Sequence, residues 1–133
     1  MEERSTTFDG RPIDLVPFIL RNKDRLVLKP NDDYGGKGIV LGWTVDESGW
    51  GEAVQGALQT PYVVQDRIDL PEELFPALVD GKLHVGNRML DTAPYVVQGD
   101  YVDGCLTRIA TDPLLNVTAG GGSTVPTFVI EPR

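Results

Sequence analysis

The stretch Leu26–Val40, LVLKPNDDYGGKGIV, decides how the chain is read. A short apolar strand ends in Lys29-Pro30, an acidic turn follows, and Gly35, Gly36, Lys37 and Gly38 make a glycine-rich tip. A second apolar strand is expected from Ile39 to about Thr44. A tip this rich in glycine brings backbone N–H groups close to an anion, because no Cβ intervenes. Lys29 and Lys37 would balance the charge of that anion. The tip by itself fits two structures, a clamp for nucleotide phosphates or a plain β-turn, since glycine pairs also mark hairpins. Lys29 favours the clamp: a lysine ending an apolar strand is costly to bury without an anion. The tip is not a Walker P-loop, because Gly38 and an apolar strand follow Gly36-Lys37 where that motif needs Ser or Thr and a helix. A Gly-x-Gly-x-x-Gly dinucleotide fingerprint is also absent.

Around this stretch, the bulk properties narrow the function classes. The 133 residues, 41% hydrophobic and 24% charged, suit a globular chain with an ordinary core. A net charge of −8 repels phosphate backbones, so no nucleic-acid partner is expected. A local nucleotide site is still compatible with that charge. Cys105 is the only cysteine and His84 the only histidine, which excludes an internal disulfide, a cysteine metal cluster and a two-histidine site. His84 falls in an alternating strand pattern and is expected to be structural. No run is long enough to span a membrane, and MEERSTTFDG lacks the pattern of a signal peptide, so a cytoplasmic protein without a membrane partner is expected.

The periodicities predict an α+β chain. Residues 1–10 are expected to be loose, and Asp14 to cap a short helix through about Arg21. Ser48 is expected to cap a second helix carrying Trp50, Ala53, Val54, Ala57 and Leu58 on one face. Pro61 opens a dense strand, Tyr62–Ile68, and Asp69–Pro76 reads as a linker. Beyond it all signals are β. Asp80-Gly81 and Asp103-Gly104 are both expected as hairpin turns, since each pair tolerates φ > 0. A glycine loop, Gly120–Gly122, would precede a last strand, Pro126–Ile130. The resulting division is an N-terminal segment and short helix (1–24), a small lobe with lysine strand, glycine tip and hinge strand (25–69), and a mostly antiparallel lobe (70–133).

Three further groups bear on chemistry. The polar pair Gln65-Asp66 interrupts the apolar strand Tyr62–Ile68, either as a hinge that offers main-chain groups to a planar base or within an ordinary core strand. Arg108 is the only basic residue of the strand Cys105–Ala110, with Asn116 and Gly120–Gly122 downstream. These form either a second phosphate-contacting surface or a surface arginine beside a loose loop. Asp91, before Pro94, is a weak candidate metal ligand and otherwise a turn residue.

Taken in order, Lys29-Pro30, the tip Tyr34–Gly38, the hinge Val63–Asp66, the acid-led strand at Asp91, Leu106-Thr107-Arg108, Asn116 and the triple glycine resemble an ATP-grasp domain. LTRIA followed by LLNVTAGGGSTVPTFVI is most similar to the circularly permuted type, relatives of glutathionylspermidine-synthetase-like ligases. The resemblance covers roughly Arg25 to Ile130. It implies a small α/β lobe with a glycine-rich hairpin, followed by a mostly antiparallel lobe. It also implies ATP and Mg2+ as cofactors, and a small carboxylate substrate phosphorylated to an acyl-phosphate that an amine or thiol displaces. Lys29, Gly35, Gly36, Lys37 and Gly38 would hold the phosphates, and Val64, Gln65, Asp66 and Ile68 would frame the adenine. Arg108 would stabilise the acyl-phosphate, with Asn116 near the phosphates as a second catalytic residue.

The chain departs from that family at the magnesium site. The family's Glu-x-Asn pair is absent: no glutamate here is followed two residues later by asparagine. In permuted members that strand lies upstream of the lysine strand. The chain is therefore expected to be the C-terminal portion of a longer protein and inactive alone. The alternative is a non-catalytic nucleotide-binding or structural module, and either form could pair with another copy through an uncovered sheet edge.

Overall fold

The computed structural model describes residues 5–114, 117 and 122–131, which form a small α+β protein with mostly antiparallel sheets. The chain divides into two compact units, Met1–Ile68 and Asp69–Arg133.

In the first unit, β1 (Ser5–Phe8) and β2 (Arg11–Asp14) form a two-stranded antiparallel hairpin. Asp9 and Gly10 turn it with φ of 48° and 71°, both in the left-handed region that a tight two-residue turn requires. The expectation of a loose start is thereby corrected from Ser5 onward. Helix α1 (Leu15–Arg21) follows, with Asp14 at its N-cap position but making no side-chain capping bond. A 3-10 turn, Lys23–Arg25, leads into β3 (Leu26–Pro30).

The second strand of the glycine hairpin is much shorter than expected. β4 is only Val40–Leu41, because the chain winds into a 3-10 turn at Gly42–Thr44. Helix α2 (Glu47–Ala57) is capped by Asp46, whose Oδ1 accepts from the Gly49 N–H at 2.8 Å, and not by Ser48. β5 (Tyr62–Asp66) completes an antiparallel sheet in the order β4-β3-β5. Alternation along β3 sends Leu26 and Leu28 to one face, where α1 and α2 cover them with Ile19, Trp50 and Val54. Trp50 is the largest fully buried side chain, and its indole N–H donates to the Ile19 carbonyl at 3.0 Å.

The second unit is one antiparallel sheet in the order β6-β7-β8-β9. β6 (Glu72–Val79) already occupies most of the expected linker, so the irregular connection shrinks to a few residues. Asp80-Gly81 turns into β7 (Lys82–Val97) as expected, with φ of 50° and 73°. The other expected turn is not made: Asp103 and Gly104 lie inside β8 (Tyr101–Ala110), and the chain reverses at Gln98-Gly99 with φ of 54° and 87°. β9 is Gly122–Val125, and residues 126–131 carry no strand, which corrects the expected Pro126–Ile130 element.

Candidate functional site

Alternation within the first sheet sorts the predicted nucleotide residues onto two faces. β3 and β5 pair as Val27↔Gln65, Leu28↔Val64, Lys29↔Val63 and Leu26↔Asp66, and directly opposed side chains leave an antiparallel sheet on the same face. Lys29 and Gln65 therefore share the face turned away from the helices, together with Val27, Leu41 and Val63. Val64 lies on the helix side and packs against the core. Asp66 lies on that side too, where Arg25 donates to its Oδ1 from Nε at 3.2 Å and from Nη2 at 2.9 Å. Ile68 is beyond the strand and exposed. Lys29 is exposed, so the desolvation argument that favoured an anion beside it does not hold.

The main chain of β5 adds a second feature. Asn31 N–H bonds to the Pro61 carbonyl at 3.0 Å and Arg67 N–H to that of Arg25 at 2.7 Å, which fixes the bonded rungs at odd-numbered residues. At Tyr62, Val64 and Asp66 the N–H and C=O groups consequently point away from β3, at the outer edge of the sheet.

The glycine tip spans the loop between β3 and β4. Gly35, Gly36 and Gly38 have φ of 66°, 78° and 69°, all left-handed. Weak turn bonds run from Lys37 N–H to the Tyr34 carbonyl and from Ile39 N–H to the Gly36 carbonyl, both 3.4 Å. The Lys37 ammonium lies 4.9 Å from the Tyr34 ring centroid. The base of the loop is held by Tyr62, whose hydroxyl donates to the Gly38 carbonyl at 3.3 Å. A Cβ at Gly38 would come within 3.1 Å of both Pro30 Cγ and the Tyr62 hydroxyl. Tyr62 was not among the sequence candidates; its only signal was an aromatic residue opening the hinge strand.

A cleft of about 270 Å³ on the helix side of this unit is lined by Phe8, Ile13, Phe18, Val64, Gln65 and Asp66. It brings three of the predicted adenine residues together but not Lys29.

In the second unit, Asp91 and Arg108 are register partners across β7 and β8. Arg108 Nε donates to Asp91 Oδ1 at 3.0 Å, and Nη2 donates to Oδ2, closing a two-pronged ion pair. The hydrogen bond and charge of Asp91 outweigh desolvation and raise the Arg108 pKa above its ordinary value. A raised arginine stays charged up to and beyond its ordinary value, so Arg108's own contribution to the pair is lost only as pH rises above that value. Both carboxylate oxygens of Asp91 are thus engaged by Arg108. Among the described residues no group of three or more His, Cys, Asp and Glu side chains is placed to hold a metal. Thr124 pairs with Arg108 on its other side, in β9. On the opposite face Thr107 is buried, sharing hydroxyl hydrogen bonds with Thr92 (3.2 Å) and Thr127 (2.6 Å). Asn116 and the first two residues of Gly120–Gly122 lie outside the described residues, and Gly122 opens β9.

No family model matches the chain, and no characterised protein or solved structure is significantly similar to it. No helix among the described residues is long and apolar enough to cross a membrane.

Proposed function

We propose that this chain is the ATP-clamping portion of an ATP-dependent carboxylate–amine or carboxylate–thiol ligase, of the circularly permuted ATP-grasp type. The supporting observation is the helix-free face of the first sheet. There Lys29 stands beside Val27, Leu41, Val63 and Gln65, at the base of a loop whose three glycines adopt left-handed backbone. An apolar strip next to an ammonium and a glycine loop suits a ligand with a flat base at one end and phosphates at the other. The outward main-chain groups of Val64 and Asp66 would bond the edge of the base. Lys29, Lys37 and the tip amides would oppose phosphate charge, and fixed cations and dipoles of this kind are the main source of rate in phosphoryl transfer.

Magnesium does not fit the donors present. Asp91 is engaged by Arg108 and no acid cluster stands near it among the described residues, so no step is assigned to a metal held by this chain. Without that site the chain is expected to bind nucleotide and not to turn over alone.

Thermal unfolding with and without millimolar Mg-ATP tests this assignment, beside a Lys29→Ala, Lys37→Ala control. A ligand at ~100 times its dissociation constant stabilises by about 2.7 kcal/mol. A shift that disappears in the control supports the clamp; no shift in the wild type counts against it.

One observation favours a second function, a non-catalytic docking module. The β6–β7 arm turns Leu74, Pro76, Leu78, Leu83 and Val85 to one face, and the three leucines and the valine are each at least 62% exposed. A bare two-stranded arm of this kind is marginal in water. Size-exclusion chromatography with light scattering across a dilution series tests for self-association.

A further inference from the structure

We infer that the concave face of the second sheet is a binding site for an amphipathic monocarboxylate, with Arg88 as the residue that takes its charge. The register puts Phe75, Ala77, Arg88, Ile109, Ser123 and Val125 on one face, opposite the face that carries Asp91 and Arg108. Two strands separate β6 from β9 in the sheet, yet residues of both line a single cleft of about 410 Å³ together with Arg88 and Ile109. The sheet is therefore curled, as a twisted antiparallel sheet is when one face turns inward. Phe75, Ala77, Ile109 and Val125 are half-buried there, and a cleft of this size suits a small organic ligand.

A formal charge stands among these apolar walls. Among the described residues the Arg88 side chain makes a single hydrogen bond, from Nη1 to the Asn87 carbonyl at 2.9 Å, and no carboxylate pairs with it. Gly86 explains how the guanidinium is placed. A Cβ at that position would stand 3.1 Å from Arg88 Nη1, so the side chain folds back along β7 over a residue that has none. That direction leads toward the rung of Phe75 and away from Glu73, the register partner of Arg88, which is exposed and does not line the cleft. The other N–H donors of the guanidinium are open to a two-oxygen acceptor, and apolar neighbours strengthen such a bond by excluding water. A carboxylate matches that fork, and the apolar walls call for a carbon chain or ring behind it. A bare inorganic anion would leave those walls unused, and a polyanion would meet a chain of net charge −8. The site lies wholly within the second unit and stands whether or not the glycine tip takes a nucleotide.

The test is a titration of the full chain with octanoate, 1-octanol and acetate in turn, followed by nuclear magnetic resonance at the backbone amides and arginine side chains. Octanoate should give saturable shifts at the Arg88 guanidinium, Gly86, Ile109 and Ser123, with the amides of Gly36 and Gly38 unmoved. 1-Octanol lacks the charge and acetate lacks the chain, so each should bind at least about tenfold more weakly. Arg88→Gln should cost about tenfold in octanoate affinity, and Arg88→Lys, which keeps the charge but not the fork, should recover part of it. Gly86→Ala leaves every charge in place and should weaken binding several-fold by displacing the guanidinium. Amide shifts away from the cleft, unchanged in the unliganded variants, show that they are folded. No saturable response to octanoate overturns the site. Equal affinity for 1-octanol, or an unchanged affinity in Arg88→Gln, overturns the role of Arg88. Shifts centred on Leu78 and Leu83 would put the ligand on the exposed face of the β6–β7 arm and overturn the placement.

Discussion

Gly42 and Lys23 hold each other from two directions. The Lys23 ammonium donates to the Gly42 carbonyl at 3.2 Å and to the Val45 carbonyl at 3.1 Å, tying the 3-10 turn after β4 to the one before β3. A Cβ at Gly42 would overlap the Lys23 carbonyl oxygen and lie 2.7 Å from its carbon. Both obstructing atoms are backbone, so no rotamer change relieves them. Gly42→Ala should therefore cost about 2 kcal/mol or more, seen as a lower denaturant midpoint at unchanged slope. Lys23→Met removes these hydrogen bonds and the exposed ion pair to Asp24, with no backbone overlap, and should cost about 1 kcal/mol.

Trp50 joins α2 to the last turn of α1 through its 3.0 Å bond to the Ile19 carbonyl. Trp50→Phe removes both volume and that donor, in a side chain 1% exposed. A loss of roughly 2 kcal/mol is expected. Trp43 remains as the fluorescence probe for the measurement.

The cap of α2 distinguishes two neighbouring polar residues. Asp46→Ala should cost about 1 kcal/mol, because its carboxylate accepts from the Gly49 N–H. Ser48→Ala, inside the helix, should change stability by less than about 0.5 kcal/mol. Urea unfolding of the two variants side by side checks this.

Tyr62→Phe removes the hydroxyl that holds the base of the glycine loop at Gly38. The bond is long and solvent-exposed, so stability should move by no more than about 0.5 kcal/mol. Amide exchange in the loop, at Gly36, Lys37 and Gly38, should quicken while the rates in β3 stay as they were.

Three Asp-Gly pairs show what local sequence specifies and where it stops. Asp80-Gly81 turns because apolar runs on both sides pair at once, Leu78 with Leu83 and Val79 with Lys82. Asp9-Gly10 turns in the same conformation, but its flanks, STTF and RPID, lack an apolar alternation and gave no strand signal. Asp103-Gly104 does not turn at all. A two-residue turn there would set Arg108 opposite Gly99; the observed register sets it opposite Asp91 and pairs Thr107 with Thr92. Long-range pairing overrides a good local turn, and a bulge between Tyr95 and Val96 absorbs the mismatch.

The site residues were legible to a similar depth. The lysine strand and the hinge strand pair in one sheet, with the glycine tip as the loop from β3 to β4, because hydrophobic runs and glycines mark them. Which face each side chain takes depends on register, and register separates Lys29 and Gln65 from Val64 and Asp66. Asp91 and Arg108 were each singled out, yet their pairing across seventeen positions of sequence follows only from the displaced turn at Gln98-Gly99.

β7 is paired along its first half with β6 and along its second half with β8, and Met89 is the one residue with register partners on both sides, Glu72 and Ala110. The second unit is thus two hairpin arms that overlap in a short splice, where the Leu90 N–H also bonds to the Pro71 carbonyl at 3.0 Å. Force or thermal fluctuation applied to the β6–β7 arm reaches the Asp91–Arg108 rung through that splice and across the cleft that Phe75 and Pro76 line with Ile109 and Val125. Each arm can fray on its own clock, and the loss of one need not unzip the other.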